Sequence, residues 1–133
     1  MVGDVRLTNR GLFAAGPDRA PVADLGRVVD RYRDGGFAAL ADLVGDFAFV
    51  LWDAGHHRLV AVRDGIGVRD LYFRRLPGRL AVASHLDAFE DCELDAAYLA
   101  ELWPDSRLVD GRTSYQGVER VHPADICSPK TGG

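Results

Sequence analysis

The chain has 133 residues and a mass of 14.5 kDa, which predicts one domain spanning residues 1–133. Hydrophobic residues make up 47% and charged residues 27%, the proportions of an ordinary globular domain. Sixteen Lys and Arg against 20 Asp and Glu give a net charge of −4. No basic block could follow a phosphate backbone, so nucleic acid is not an expected partner.

The sequence favours a cytoplasmic protein without a membrane partner. It holds no run of 18 apolar residues that could cross a bilayer, and its first ten residues lack the basic and apolar segments of a secretory signal. The two cysteines, Cys92 and Cys127, are too few for a disulfide scaffold and do not have the spacing of a zinc site.

The first third of the chain predicts one strand followed by helices. Val2 to Leu7 alternates apolar residues with polar residues or glycine, the pattern of a strand. From Pro21 onward, apolar residues recur at the spacing of one helix face. This face consists of Val22, Leu25, Val28, Val29 and Tyr32. The pair Gly35-Gly36 stands where a left-handed helix end favours glycine. A second short helical stripe then follows, formed by Phe37, Leu40 and Leu43.

A β-meander is predicted in the middle of the chain. The segment Gly45–Asp53 is nearly continuously apolar, which is typical of a strand covered on both faces. Residues 53–57 supply a hairpin turn, and Arg58–Asp64 is the return strand. Two further strands are predicted at Asp70–Phe73 and Arg79–Ser84.

The last third predicts one helix and a short strand near residues 118–121. Asp95 is the expected N-cap of a helix that Pro104 ends. The residues expected to face inward from this helix are Tyr98, Leu99 and Leu102. This order of elements predicts an α+β fold with an antiparallel sheet and segregated helices. The side chains expected in the interior are Phe47, Phe49, Leu51, Val60, Val62, Leu71, Val82 and Leu99.

A resemblance to a known family is carried by residues 45–73, which read GDFAFVLWDAGHHRLVAVRDGIGVRDLYF. This segment resembles the glutaminase domain of asparagine synthetases and their relatives. In that family a Phe-Ala-Phe strand ending in Trp-Asp leads into a hairpin. The return strand ends in Arg-Asp, and a glycine-containing loop leads into a Leu-Tyr strand.

The resemblance covers nearly the whole chain. Residues 3–13, GDVRLTNRGLF, are similar to a family strand and turn, and residues 78–89, GRLAVASHLDAF, are similar to a strand that ends in Ser-Glu, with His85 replacing the glutamate. Residues 114–126, SYQGVERVHPADI, are similar to the end of the domain, which in family members precedes an ATP-using synthetase domain.

The fold implied by this resemblance is an N-terminal-nucleophile hydrolase-like sandwich of antiparallel sheets with flanking helices. Because Gly3 matches a strand well inside the family domain, we expect the first family strands to be absent from this chain. The start Asp-Val-Arg-Leu-x-Asn-Arg is more similar to lasso-peptide cyclases and other amide-forming synthetases of specialised metabolism. Many of those relatives have lost glutaminase chemistry.

The resemblance also implies which chemistry to look for. In a family glutaminase, the thiolate of an N-terminal cysteine attacks the glutamine amide, and its own α-amino group serves as the base. Positions 1 and 2 here are Met and Val, which cannot form an acyl-enzyme, so no catalytic residue is assigned. The family oxyanion hole uses an Asn-Gly pair. Gly3 matches the glycine, whereas Val2 removes the side-chain donor.

Asp24 matches the family aspartate that holds the amine of glutamine, although Ala23 and Gly26 depart from the surrounding motif. Gly3 and Asp24 are therefore expected to be vestigial substrate-binding residues. An alternative interpretation of Asp24 is a solvated carboxylate in the first turn of a helix, where the helix dipole favours it.

The remaining candidate site residues are expected to have structural roles and not catalytic ones. Arg63, Asp64 and Gly67 belong to the family motif, and their place at a strand end suits an ion pair that fixes the following loop. Contact of Arg63 and Asp64 with a ligand is the alternative. The two histidines at positions 56 and 57 lie in a hairpin turn and are expected to be solvent-exposed turn residues, so no metal site is expected. Cys92 and Cys127 are expected to be ordinary thiols.

Three functions stay open at this point. The first is a catalytically inactive glutaminase-like domain of an ATP-dependent amide-forming enzyme, which would dock against a synthetase domain or a partner protein. ATP and Mg²⁺ would then belong to the synthetase domain, with no cofactor in this one. The second is a fragment of an active glutamine-hydrolysing enzyme whose cysteine-bearing segment is missing. The third is a free-standing module that binds a peptide or protein at an exposed sheet edge. Self-association is expected through the same kind of edge.

Overall fold

A computed structural model describes residues 1–9, 24–105, 111–122 and 126–127. Within these ranges the chain forms seven strands, two α-helices and one 3₁₀ helix. In chain order they are β1 (Val2–Leu7), α1 (Asp24–Leu40), β2 (Gly45–Asp53), β3 (Arg58–Arg63), β4 (Tyr72–Leu76), β5 (Arg79–Ala83), the 3₁₀ helix (Leu86–Phe89), α2 (Ala96–Asp105), β6 (Val118–Arg120) and β7 (Ile126–Cys127).

The strands form two antiparallel sheets. The first sheet has the order β1-β2-β3-β7 and the second has the order β5-β4-β6. Every paired neighbour runs antiparallel. The combination of antiparallel sheets with separate helices confirms the α+β class. Neither α1 nor α2, the two α-helices in the described ranges, is long and apolar enough to cross a bilayer.

The core is divided among three apolar clusters, which stack the elements in layers. One face of the first sheet packs on α1, with Phe49 and Val28 fully buried between them. The opposite face, including Val50, packs on Phe73 of the second sheet. Because alternate residues of a strand point to opposite faces, β2 is buried on both sides, which confirms the expectation for its apolar run. The outer face of the second sheet packs on the 3₁₀ helix through Phe89.

Most of the expected interior is confirmed. Six of the eight side chains are buried, namely Phe47, Phe49, Leu51, Val60, Val62 and Leu71. Val82 is half-buried. The expectation for Leu99 is wrong, because its side chain is 38% exposed. On α2 it is Tyr98 that is buried, and Leu99 lies about 100° further round the helix.

Several predicted boundaries need correction. Helix α1 contains both predicted helical stripes, and the predicted break between them is confirmed, because Gly36 has a left-handed φ of 61° and a non-helical ψ of −144°. Strand β4 begins at Tyr72 instead of Asp70. Helix α2 extends one residue past Pro104. Its predicted N-cap is confirmed, because the Tyr98 backbone N–H donates to Asp95 Oδ1 at 2.9 Å. The predicted start of the first helix, Pro21, lies outside the described residues.

Candidate functional site

A cavity of about 970 Å³ opens between the two sheets at the start of β1. Its apolar walls include Val50 of β2 and Val82 of β5, and Val82 packs against the apolar cluster that contains Val50. Polar side chains also line it and are exposed to solvent. These are Asp4, Arg69, Ser84 and His85. A concave, mostly apolar site with a few polar groups is the common form of a ligand pocket.

Gly3 lies on the wall of this cavity, where the β1–β2 register places it opposite Phe49. Its φ of 154° is unfavourable for other residues. A Cβ added here would lie 2.5 Å from the carbonyl oxygen of Ala48 and 2.5 Å from Cβ of Phe49. Glycine is therefore required for β1 to approach β2 at the cavity.

Asp24 lies in the first turn of α1, next to the other end of β1. Its Oδ2 accepts the backbone N–H of Leu7 at 2.9 Å, and its Oδ1 lies 3.9 Å from Nε of Arg27. The side chain is only 8% exposed, so it is not a solvated carboxylate. Because Gly3 and Leu7 are four strand residues apart, roughly 13 Å, the structure does not bring Gly3 and Asp24 together at the cavity.

Asp64 follows the end of β3, is buried, and collects backbone donors of the next loop. Its Oδ1 accepts the N–H groups of Ile66, Gly67 and Val68 at 3.1, 2.6 and 3.0 Å. Its Oδ2 accepts the N–H of Arg69 at 3.2 Å, and a fifth N–H reaches the same oxygen from β2. Burial raises the pKa of Asp64, but the backbone hydrogen bonds outweigh burial and hold that pKa below its ordinary value.

Arg63 binds the carbonyl groups of the same loop. Its Nε donates to the backbone oxygen of Arg69, and its terminal nitrogens donate to those of Gly67 at 2.8 Å and Val121 at 3.2 Å. Its ion pair is with Oδ1 of Asp70 at 2.6 Å, and not with Asp64. The sequence predicts an ion pair at this strand end, and the structure identifies Asp70 as the carboxylate that pairs with Arg63.

The loop at residues 64–70 is thus fastened through its own backbone, and part of it forms the cavity wall. Val68, Arg69 and Asp70 line the cavity, and Arg69 also reaches across to β1, where its guanidinium lies 3.2 Å from Oδ2 of Asp4. Ile66 points away and is 88% exposed. The arrangement therefore fixes a wall of the cavity and also the loop backbone that carries the exposed Ile66 side chain.

Sequence reasoning missed the cavity-lining residues Arg69, Asp70 and Ser84. The sequence pattern predicts that Asp70 lies on a strand, whereas in the structure it precedes β4 and pairs with Arg63. The available signal is its position six residues beyond Asp64, in the loop that the Arg-Asp motif is expected to fix. Arg69 carried little signal, since all but one of the 16 basic residues are arginine.

A second polar cluster joins the β2–β3 hairpin to α1. Asp53 Oδ2 accepts the hydroxyl of Tyr32 at 2.6 Å and lies 2.8 Å from Nδ1 of His56. Arg58 donates to the same Tyr32 hydroxyl at 2.9 Å. The hydrogen bond from Tyr32 is the largest cause that lowers the pKa of Asp53, and this pKa lies well below the ordinary range of an aspartate. In the described part of the chain, no three His, Cys, Asp or Glu side chains are grouped to hold a metal ion.

The two cysteines lie at different sheets of the fold. Cys92 is buried in the cluster with Tyr72, Phe89 and Val118. That cluster lies on the face of the second sheet opposite the cavity, because Tyr72 and its neighbour Phe73 point to opposite faces. Cys127 pairs through its backbone with β3, and its side chain lies outside the described residues.

Sequence comparison assigns this architecture to a family. Residues 14–133 match the glutamine amidotransferase domain model, and the chain belongs to that family. It is 36% identical over 97 residues to the amidase chyE of Penicillium rubens, which covers 72% of this chain and 14% of that protein. It is 34% identical over 105 residues to the amidase chry2 of Gibberella zeae, covering 77% of this chain and 16% of that protein.

A third relative connects the chain to the synthetases. It is 29% identical over 59 residues to the glutamine-hydrolysing asparagine synthetase 2 of Bacillus subtilis, covering 44% of this chain and 8% of that protein. The chain therefore spans no more than about a sixth of the length of these curated relatives. The glutamine amidotransferase resemblance is confirmed, and the lasso-peptide branch stays a prediction.

Proposed function

We propose that this chain is a glutamine amidotransferase-like domain that does not itself hydrolyse glutamine. It would serve an ATP-dependent amide-forming enzyme as a structural or partner-docking domain. The observation that carries the proposal is the lining of the cavity between the sheets. Among the described residues that form it, none carries a thiol.

The positions of individual groups support this interpretation. Glutamine hydrolysis in the family needs a thiolate and donors for the oxyanion. Cys92 is buried on the far face of the second sheet, so its sulfur cannot reach a ligand between the sheets without unpacking that cluster. Val2 lines the cavity but offers no side-chain donor. Gly3 and Asp24, which match family substrate residues, lie at opposite ends of β1.

A docking role is supported by the loop at residues 64–70. Two buried charged side chains, Arg63 and Asp64, hold its backbone while Ile66 and Val68 stay 88% and 54% exposed. A rigid loop that presents apolar side chains loses little conformational freedom on association. The occupant would be a synthetase domain or partner protein in the cytoplasm, and ATP and Mg²⁺ would act there.

The test is ammonia release from glutamine by the purified 133-residue chain. We expect no release above a buffer blank. The variants Cys92→Ala and Cys127→Ala are measured in parallel, because turnover that either substitution abolishes would identify an internal nucleophile and overturn the proposal.

A second candidate function is an active glutamine amidotransferase in which another segment supplies the cysteine. The open cavity beside Gly3 favours it, since a strand placed there would bring a thiol against the glycine backbone. Fusion of a strand beginning Met-Cys-Gly ahead of Val2 distinguishes the two. Glutamine turnover by the fusion, lost on changing its cysteine to alanine, supports the active enzyme. Continued inactivity of a folded fusion supports the docking domain.

A further inference from the structure

Helix α2 turns an apolar face to solvent. Tyr98 is the buried residue of its first turns, and away from it the helix presents Ala96, Leu99 and Ala100. These three residues share one face, because residues three and four apart are neighbours on a helix. All three are exposed, so the outward side of the helix carries no charged group in these turns.

Leu94 extends this face at the start of the helix. Because Asp95 is the N-cap, Leu94 and Leu99 hold the two positions whose apolar side chains commonly pack together at a helix start. Leu94 is nevertheless 57% exposed and Leu99 38% exposed. We call Leu94, Ala96, Leu99 and Ala100 the α2 surface.

The segment that carries the α2 surface is strongly acidic. Residues 86–106 contain seven Asp and Glu and no Lys or Arg, whereas the rest of the chain has 16 Lys and Arg against 13 Asp and Glu. Four of the seven carboxylates precede α2 and are exposed, namely Asp87, Glu90, Asp91 and Glu93. An acidic surface repels nucleic acid and anionic lipid, so charge complementarity favours a basic protein segment.

An arginine of the chain itself already binds beside this surface. The terminal nitrogens of Arg112 lie 2.8 Å from Oε2 of Glu101 and 3.2 Å from Oδ2 of Asp95. Its guanidinium also lies 5.2 Å from the centre of the Tyr98 ring. One guanidinium offsets a single negative charge, so the segment stays acidic after this arginine has bound.

We propose that the α2 surface binds an amphipathic helix of a partner protein. Apolar side chains of that helix contact Leu94 and Leu99, and its lysine or arginine side chains lie beside the carboxylates that precede α2. Ala96 and Ala100 are one turn apart, and such small side chains let a second helix pack closely. Recognition then combines a buried apolar stripe with paired flanking charges. The inference does not depend on the proposed function, because binding here requires neither glutamine nor the cavity.

Fluorescence anisotropy of a labelled helical peptide of about 18 residues tests the proposal. The probe carries leucine on one helix face and lysine on the other, and a matched peptide has glutamate in place of every lysine. We expect the full chain to bind the lysine peptide with a Kd about tenfold or more below that for the glutamate peptide. Added salt should reduce this difference, because it screens the exposed charges.

Substitutions of exposed leucines test the apolar contact. Leu99→Gln should raise the Kd for the lysine peptide about fivefold or more, because it removes apolar area from the interface. Leu94→Gln should act in the same direction. Val44→Gln is the matched control, since Val44 is 56% exposed but lies beside α1, and it should leave the Kd unchanged.

Reversal of two charges tests the electrostatic contact. The double variant Glu90→Lys with Glu93→Lys should raise the Kd for the lysine peptide about tenfold or more and should bind the glutamate peptide more tightly than wild type does. Asp34→Lys, at an exposed position of α1, is the control and should change neither Kd more than about twofold.

The gain of glutamate-peptide binding distinguishes charge reversal from misfolding, and circular dichroism checks the fold of the leucine variants. A wild-type chain that does not bind the lysine peptide would overturn the proposal. Binding that depends on charge alone, with a Kd that neither leucine substitution raises, would overturn it as well.

Discussion

Arg63 and Asp64, adjacent at the end of β3, divide the backbone of one loop between them. The guanidinium binds carbonyl groups of Gly67 and Arg69, and the carboxylate binds the N–H groups of residues 66–69. Buried polar groups are tolerated when their hydrogen bonds are made. Here the guanidinium satisfies carbonyl groups of the loop, and the carboxylate satisfies its N–H groups. The loop is held without an apolar core of its own.

Removing the carboxylate should be costly. Asp64→Ala removes the carboxylate that accepts five backbone N–H groups, four of them in the loop, and we expect it to lower the free energy of unfolding by about 3 to 5 kcal/mol. Urea denaturation measures the change. Asp34→Ala, at an exposed position of α1, is the control and should stay within about 0.5 kcal/mol of wild type. Equal effects of the two substitutions would contradict the role of the loop contacts.

The pH dependence of stability should report the same carboxylate. Because the folded-state pKa of Asp64 is lowered, its contribution is complete above the ordinary aspartate pKa of about 3.9. It is then lost as the pH falls toward and through the lower folded-state pKa. Unfolding measured from neutral pH down into this acid range should show a smaller decline for Asp64→Ala than for Asp34→Ala. Parallel curves for the two variants would argue against this assignment.

The glycine at position 3 should be irreplaceable for steric reasons. Gly3→Ala places a methyl group 2.5 Å from Phe49 and Ala48, which forces β1 away from β2, and we expect a loss of about 2 to 3 kcal/mol. Gly78→Ala is the matched comparison, since Gly78 also has a positive φ of 68° but no atom within 4 Å of the added carbon. It should cost only the conformational strain, about 1 to 2 kcal/mol. A smaller loss at Gly3 than at Gly78 would be inconsistent with the β1–β2 register.

Leu51 and Leu99, which are both predicted to lie in the interior, should differ in their contribution to the free energy of unfolding. Leu51 is buried in the cluster under α1, whereas Leu99 is 38% exposed on α2. Leu51→Ala should lower the free energy of unfolding by about 2 to 5 kcal/mol, and Leu99→Ala by less than about 1 kcal/mol. Thermal and urea unfolding of both variants give the comparison. A large effect at Leu99 would mean that a partner or another segment covers it.

The meander could be predicted because its information is local. The apolar run of β2 and the turn at residues 53–57 specify a hairpin within one short segment. The exposure of Leu99 could not be predicted so well. Which side of α2 is buried depends on contacts with residues distant in sequence. One of them is Arg112, whose guanidinium lies 5.2 Å from the centre of the Tyr98 ring.

In the candidate site, too, the features that depend on adjacent residues could be predicted, and those that depend on distant segments could not. The motif around Arg63 and Asp64 indicated a fixed loop, and its residues are adjacent in the chain. The cavity was beyond sequence reasoning, because it exists only where β1, β2 and β5 meet. Asp24 resembles a substrate residue in its sequence context, yet its hydrogen bond to Leu7 depends on how α1 packs beside β1.

The pairing of β1 with β2 joins segments separated by the whole of α1. Closing so long a loop is entropically unfavourable compared with forming the neighbouring hairpins. We therefore expect β2–β3 and β4–β5 to assemble early in folding and β1 to join last, with its docking limiting the rate. In the native protein the same strand should open most readily, and its backbone amides should exchange with deuterium before those of β2. The wall of the cavity that carries Gly3 would then open more readily than the wall formed by β2.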